Sequence, residues 1–218
     1  MKKILLAGSE SSNWDDITYE DKWYNIIEQD FKEDDFTYYM CNDVLVSDTT
    51  NLFHNYFRFY YAQIAVLDFL IEDCMPRIVN KSSILYRALR KVVGARAANR
   101  ITLSVGRPKA NNASISAKSF EMIYRNLVEN LIQNGTEHIF LLKHTFTCED
   151  ESFNSMLHQN VERYSQVMDE LSNVYPDKVK LIRVESKITG DCMNGMCITK
   201  ESQQKIAEVV KLQLKSII

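Results

Sequence analysis

Short apolar runs alternate with helical stretches along this chain, and that order constrains the fold more than any other feature. Five runs have the length and composition of buried strands: residues 3–8, 36–41, 62–69, 138–142 and 178–184. Apolar residues at helical spacing separate them, most clearly over 117–134, over 151–174 and after Thr199, a predicted helix cap. Strands joined through helices pair in parallel by right-handed crossovers. The sequence therefore predicts an α/β fold, a three-layer sandwich around a five-stranded parallel sheet in the order 2-1-3-4-5.

Composition excludes several other classes of protein. The 218 residues are 45% hydrophobic, which predicts a single domain over 1–218 with a sizeable core. No apolar run reaches the ~18–20 residues of a membrane span, and the run ILLAG near the start is too short for a signal peptide. The five cysteines are scattered without a CxxC, which favours reduced thiols in a cytoplasm over disulfides or a zinc site. Only Gly8 follows the first strand, so a glycine-rich nucleotide loop is excluded and no cofactor is expected.

Charge is distributed very unevenly along the chain. Residues 74–110 contain nine basic residues and no acid, whereas residues 9–48 contain twelve acids and two lysines. The basic stretch overlaps a predicted helical insertion at about 78–116. Its central helix has one apolar face, formed by Ile84, Leu85, Ala88, Leu89, Val92 and Val93. Arg87, Arg90 and Lys91 lie opposite and are the candidate anion-binding residues.

Such a helix fits two arrangements. It can lie on a membrane surface, or it can form a lid that packs on its own domain with the basic side in solvent, which is the preferred interpretation. Because no acid is available for i,i+4 pairs, we expect the cations to meet an anionic surface, a partner protein or a second copy rather than the acids of 9–48. Nucleic acid is not expected, because no aromatic residues are interleaved with the arginines and the net charge is −3.

Three stretches of sequence line up with one known family. The first strand ends in Gly8-Ser9-Glu10, the third is followed by L-I-E-D-C-M-P-R at 70–77, and N-G-M-C-I-T-K-E-S-Q-Q-K-I-A occupies 194–207. The chain resembles the SGNH, or GDSL, hydrolases, whose matching motifs read G-D-S, G-x-N-D and D-G-x-H-L-T-x-x-G-H-x-x-I-A. A subgroup with G-I-V-D-C-A-P-R in the second of these positions is most similar. The resemblance implies a flavodoxin-like three-layer fold, ester chemistry and a bacterial surface-polysaccharide setting.

The residues that carry the family's chemistry are replaced at the matching positions. In the first motif, the family's nucleophilic serine falls on Glu10 and the preceding aspartate falls on Ser9. In the second, the asparagine of G-x-N-D falls on Glu72, and the aspartate is kept as Asp73. In the third, the catalytic aspartate and histidine fall on Asn194 and Cys197. Ester cleavage needs a hydroxyl nucleophile, a base and oxyanion donors. Glu10 has no hydroxyl to serve as the nucleophile, and Glu72 places an acceptor where the family has an amide donor. The preferred interpretation is a degenerate site that binds a carbohydrate, an acylated ligand or a partner protein without hydrolysis.

Other interpretations of the same residues stay open. An active carbohydrate esterase or O-acyltransferase could use Ser11, which lies beside Ser9 and Ser12, as its nucleophile and His144 as its base. In the alternative interpretation, the three serines cap a turn or helix and His144 is a polar residue at the end of a strand. Glu10, Glu72 and Asp73 are expected to converge at the carboxyl edge of the sheet, where mutual repulsion raises at least one pKa. With His144 they could bind a cation or act as acid and base. Solvated or internally bonded carboxylates are preferred, no metal is expected, and Cys197 is interpreted as a small buried thiol.

Overall fold

The computed structural model describes residues 2–9, 18–31, 35–41, 45–81, 83–102, 113–147, 151–187 and 198–217. Five strands occur in these ranges: β1 (Lys3–Ser9), β2 (Asp35–Cys41), β3 (Ile64–Asp68), β4 (His138–Thr147) and β5 (Val179–Lys187). They pair in parallel in the order β2-β1-β3-β4-β5. The predicted α/β class with a parallel sheet is confirmed. β4 and β5 extend past their apolar runs because they remain paired as far as Thr147 and Lys187.

Helices connect the strands and cover the sheet. Their bounds are α1 (Trp23–Asp30), α2 (Thr49–Leu52), α3 (Arg58–Tyr60), α4 (Ile71–Cys74), α5 (Ile84–Val93), α6 (Ala95–Thr102), α7 (Ala117–Gln133), α8 (Glu151–Val174) and α9 (Lys200–Lys215), with a π-helical turn at Phe53–Phe57 between α2 and α3. α1 packs on α9, and α7 packs on α8. The crossover from β1 to β2 runs toward one edge of the sheet, and the crossover from β3 to β4 runs toward the opposite edge. Because both crossovers are right-handed, α1 and α7 lie on opposite faces of the sheet.

The core lies between these helices and the sheet, as the apolar runs predict. All five residues of β3 are buried, and the ring of Phe120 on α7 stacks on Tyr124 at a centroid distance of 5.1 Å. Thr199 caps α9 as expected, because its Oγ1 accepts a hydrogen bond from the Ser202 amide at 3.2 Å. Among the described residues, no helix is both long enough and apolar enough to cross a bilayer.

One glycine fixes how closely the two central strands approach each other. Gly8 pairs with Asp68 in the register of β1 and β3. A Cβ atom at Gly8 would lie 2.4 Å from the backbone oxygen of Asp68, far inside van der Waals contact. The ends of β1 and β3 can therefore meet this closely only with glycine at position 8. This contact sits at the carboxyl edge, where parallel α/β sheets bind their ligands.

Candidate functional site

Several of the predicted site residues lie outside the described residues. Glu10, Ser11, Ser12, Asn194 and Cys197 are among them. Ser9 is the last residue of β1, and its backbone pairs with Cys41 of β2. The predicted roles of these six residues, and the expected approach of Glu10 to Glu72, therefore stay predictions.

Glu72, which the sequence resemblance aligns with the family's amide donor, forms part of a buried ion cluster. It lies in α4, four residues beyond the end of β3. Its Oε2 is 3.3 Å from the Nζ of Lys81 and 3.5 Å from a guanidinium nitrogen of Arg77. The side chains of all three residues are less than 10% exposed. Two cations thus neutralise this carboxylate inside the protein.

Arg77 also ties the basic insertion to the rest of the chain. It is the largest fully buried side chain among the described residues. Its Nε donates to Ser114 Oγ at 2.7 Å, and its Nη1 donates to Thr102 Oγ1 at 3.3 Å. Because Thr102 ends α6 and Ser114 precedes α7, one guanidinium joins the end of α6 and the approach to α7 to Glu72. The cations nearest to α4 therefore have a structural partner inside the chain.

Asp73 is buried beside Glu72 and holds a different segment in place. Its Oδ1 accepts a hydrogen bond from the Val46 amide, in the segment after β2, at 2.9 Å. Its Oδ2 has no hydrogen-bond partner among the described residues. Burial raises the pKa of the Asp73 carboxyl well above its usual range; the Val46 amide opposes this shift, and the Glu72 charge adds to it. The raised pKa expected at this edge therefore arises mainly from desolvation rather than from repulsion between carboxylates.

His144 lies within β4 rather than at its end, and it has a partner that the sequence analysis missed. Its Nε2 is 2.6 Å from Oδ1 of Asp68, the last residue of β3. Both side chains are buried. The available signal was the acid at the end of the apolar run AVLD, because a buried aspartate needs a donor nearby. The imidazole and the carboxylate together form a His–Asp pair across neighbouring strands.

Tyr124 reaches the same region from α7. Its hydroxyl is buried and has no partner among the described residues. Burial raises the pKa of Tyr124 well above its usual range, and the charges of Asp68 and Asp73 add to this shift. The Tyr124 hydroxyl thus lies within electrostatic reach of the two buried aspartates, Asp68 and Asp73. Within the described ranges, no three His, Cys, Asp or Glu side chains converge as a metal site would require.

The basic helix differs from the preferred prediction. Arg87, Arg90 and Lys91 are exposed on α5, as a solvated basic side requires. The apolar face was expected to pack on its own domain. This is wrong for five of its six residues, which are exposed: Ile84, Leu85, Ala88, Val92 and Val93. Tyr86 is the buried residue of the helix. An amphipathic pattern in the sequence shows which residues share a face, but it does not show whether that face is covered.

Comparison with solved structures identifies the fold. A lipase/acylhydrolase from Enterococcus faecalis aligns with a TM-score of 0.61 at 9% identity, over 99% of this chain and 96% of its own. A member of the lipolytic G-D-S-L family from Veillonella parvula aligns at 0.59 and 10% identity, over 99% of both chains. An acetyl-xylooligosaccharide esterase mutant from Geobacillus stearothermophilus aligns at 0.61 and 9%, over 98% and 94%.

These alignments span nearly the whole chain, so the protein has an SGNH/GDSL hydrolase-like fold, as the resemblance implied. At 9–10% identity they establish the fold alone. No protein-family model matches the sequence, and no curated protein matches it significantly.

Proposed function

We propose that this SGNH-fold protein binds a carbohydrate or an acylated ligand at the carboxyl edge of its sheet and does not hydrolyse it. The observation that carries the proposal is the burial of Glu72 between Arg77 and Lys81. In the family that the chain resembles, this position supplies an amide donor to the oxyanion. A carboxylate held there by two cations has no proton to donate, and its charge opposes a developing oxyanion.

The size of the effect supports loss of hydrolysis. Removal of one oxyanion donor from a hydrolase costs about 2.7–4 kcal/mol of transition-state stabilisation. Under the same resemblance, the nucleophile, the acid and the base fall on Glu10, Asn194 and Cys197. Because these groups act as a unit, their joint replacement leaves at most the acceleration that binding alone provides.

The ligand class is proposed from the structural neighbours and from the resemblance. One neighbour is named an acetyl-xylooligosaccharide esterase, and another is a family two carbohydrate esterase from Clostridium thermocellum. The resembling subgroup implies a surface-polysaccharide setting. A sheet edge of this fold suits an acylated saccharide, because such a ligand offers hydroxyls for hydrogen bonds and an apolar acyl group for a pocket.

The buried pair of His144 and Asp68 favours a second candidate function. An imidazole oriented by a carboxylate is the part of a catalytic triad that activates a hydroxyl nucleophile. If Ser11 approached His144 Nδ1, the protein would be an esterase or O-acyltransferase with relocated groups. The pair has an alternative role in joining β3 to β4, which is why this function ranks second.

One labelling experiment separates the two functions. The purified protein is treated with a fluorophosphonate probe and assayed with short-chain nitrophenyl esters. We expect neither labelling nor turnover. Labelling at Ser9, Ser11 or Ser12 that His144→Ala abolishes, and that the exposed control His158→Ala retains, would refute the non-hydrolytic proposal and establish the second function.

Ligand binding is tested on the same preparation by thermal shift. A panel of acetylated and unacetylated xylo-oligosaccharides is the probe. A ligand at a hundred times its Kd stabilises the folded protein by about 2.7 kcal/mol, which raises the Tm of a protein of this size by roughly 5–11 °C. Absence of a shift with every member of the panel contradicts the carbohydrate class.

A further inference from the structure

Helix α5 directs an apolar ridge into solvent. Ile84 is 84% exposed, Val92 83% and Leu85 64%, and the small Ala88 between them is exposed as well. The helix is well formed, since Ser83 Oγ accepts the Tyr86 amide at 3.1 Å to cap its start. The described part of the chain therefore leaves the four side chains of this ridge uncovered.

Positive charge borders this ridge. With about 100° between successive residues, the ridge residues fall within an arc of about 100°. Arg87, Arg90 and Lys91 occupy the neighbouring arc and are exposed. No acid occurs anywhere in residues 74–110. The outward surface of α5 is thus half apolar and half cationic, which is the pattern of helices that lie in the plane of a membrane interface.

We propose that α5 docks on an anionic lipid bilayer, with the ridge among the upper acyl chains and the three cations among the headgroups. One feature favours lipid over a protein groove. A groove that neutralised three neighbouring cations would set several carboxylates beside an apolar floor, where their desolvation is costly. Headgroup phosphates remain hydrated while they meet the cations, and the acyl region accepts the ridge without any specific pairing.

The N-terminal end of α5 is anchored to the α/β domain, which suits docking of the rest of the helix. Arg77 and Lys81 precede the helix and are tied to Glu72, so the insertion is fastened to α4 by buried contacts. At ten residues, the helix is about 15 Å long, too short to cross the bilayer. Docking therefore leaves the α/β domain outside the membrane, beside its surface. The proposal is independent of whether the protein hydrolyses esters.

Vesicle sedimentation of the full chain tests the proposal. The probes are vesicles of phosphatidylcholine alone and vesicles of equal parts phosphatidylcholine and phosphatidylglycerol. We expect the protein to sediment with the anionic vesicles at low salt, to remain in the supernatant with the neutral ones, and to lose binding steeply as salt screens the cations.

Two variants and two matched controls examine the two halves of the surface. Ile84→Glu/Val92→Glu should abolish binding, while Met122→Glu/Leu212→Glu, at apolar residues 58% and 67% exposed on α7 and α9, should bind like the wild type. Arg87→Gln/Arg90→Gln/Lys91→Gln should lower the partition coefficient about a hundredfold. The charge control is Lys118→Gln/Lys180→Gln/Arg183→Gln, at exposed cations elsewhere, and it should have little effect.

Three results would overturn the proposal. The first is a wild-type protein that stays in solution with anionic vesicles at low salt. The second is binding by Ile84→Glu/Val92→Glu at the wild-type level, with circular dichroism unchanged. The third is a concentration-dependent dimer, without vesicles, that the same variant converts to monomer, because the ridge would then be an interface between copies of this chain.

Discussion

Removal of the Glu72 carboxylate should destabilise the protein far more than removal of an exposed ion-pair partner. In Glu72→Ala, Arg77 and Lys81 remain buried and lose the anion that lies 3.5 Å and 3.3 Å from them. Breaking a buried ion pair by deleting one partner costs about 3–5 kcal/mol, mostly because the remaining charge stays desolvated. Arg77 keeps Ser114 and Thr102 as acceptors, so the lower half of that range is expected.

Urea unfolding followed by tryptophan fluorescence measures this cost, since Trp23 is buried in α1 and reports loss of the core. In a parallel thermal melt, a loss of about 3–4 kcal/mol lowers the Tm of a protein of this size by roughly 6–16 °C. The matched control is Glu170→Ala, which removes one of the two carboxylates that pair with Arg125, and this carboxylate is 58% exposed. Exposed pairs contribute about 0–1 kcal/mol, so the control should change the Tm by a few degrees at most.

A further variant separates charge from packing at this position. Glu72→Leu/Arg77→Met/Lys81→Met removes the whole ion cluster while it keeps most of the volume. Apolar replacement of a complete buried cluster is commonly neutral or stabilising, so this variant should recover most of the loss. If Glu72→Ala unfolds at the same urea concentration as Glu170→Ala, the carboxylate does not neutralise the two cations, and the reasoning behind the proposed function fails with it.

Three more variants test other parts of the carboxyl edge. Asp73→Asn keeps an acceptor for the Val46 amide and removes a group whose pKa burial raises. At Asp73 the folded wild type binds more protons than the unfolded chain, so its free energy of unfolding falls as pH rises from the usual aspartate range toward the raised pKa. Over that interval, urea titrations should show the free energy of unfolding of the variant rising relative to that of the wild type. At lower pH, where Asp73 is protonated in both states, this difference should disappear. Gly8→Ala places a methyl group 2.4 Å from the Asp68 oxygen and should cost at least about 1–3 kcal/mol of unfolding free energy, whereas an unchanged midpoint would show that β1 and β3 can separate. Asp68→Ala leaves the buried His144 without its 2.6 Å partner and should cost about 1–3 kcal/mol; an unchanged thermal melt would show that the pair is not needed for folding.

The strands and long helices could be predicted because their signals are local. Apolar runs gave all five strands, and Asn134-Gly135 marked the end of α7, where Gly135 has a φ of 94°. The length of β4 could not be predicted in the same way. Its polar second half, with His144, is held by pairing with β5 and by Asp68, which lies 76 residues away in the chain.

The candidate site was less predictable for the same physical reason. The roles of Glu72 and Asp73 depend on partners in other elements, namely Lys81, Arg77 and the Val46 amide. A motif alignment locates such carboxylates at the sheet edge but does not show which donors reach them. For the apolar ridge of α5, the sequence showed which residues share a face. Whether that face is exposed depended on the packing of the whole domain and could not be predicted.

The strand order has a consequence for how the chain folds during synthesis. The three strands β2, β1 and β3 all lie within the first 68 residues and form one continuous half of the sheet. These three strands leave the ribosome before β4 and β5, because synthesis proceeds toward the C-terminus. Until residues 138–147 emerge, the outer edge of β3 has no neighbouring strand, and an open parallel edge is prone to intermolecular pairing. The arrival of β4 closes that edge and brings His144 to Asp68. The interval between these two events is therefore the stage of biosynthesis at which aggregation of this protein should be greatest.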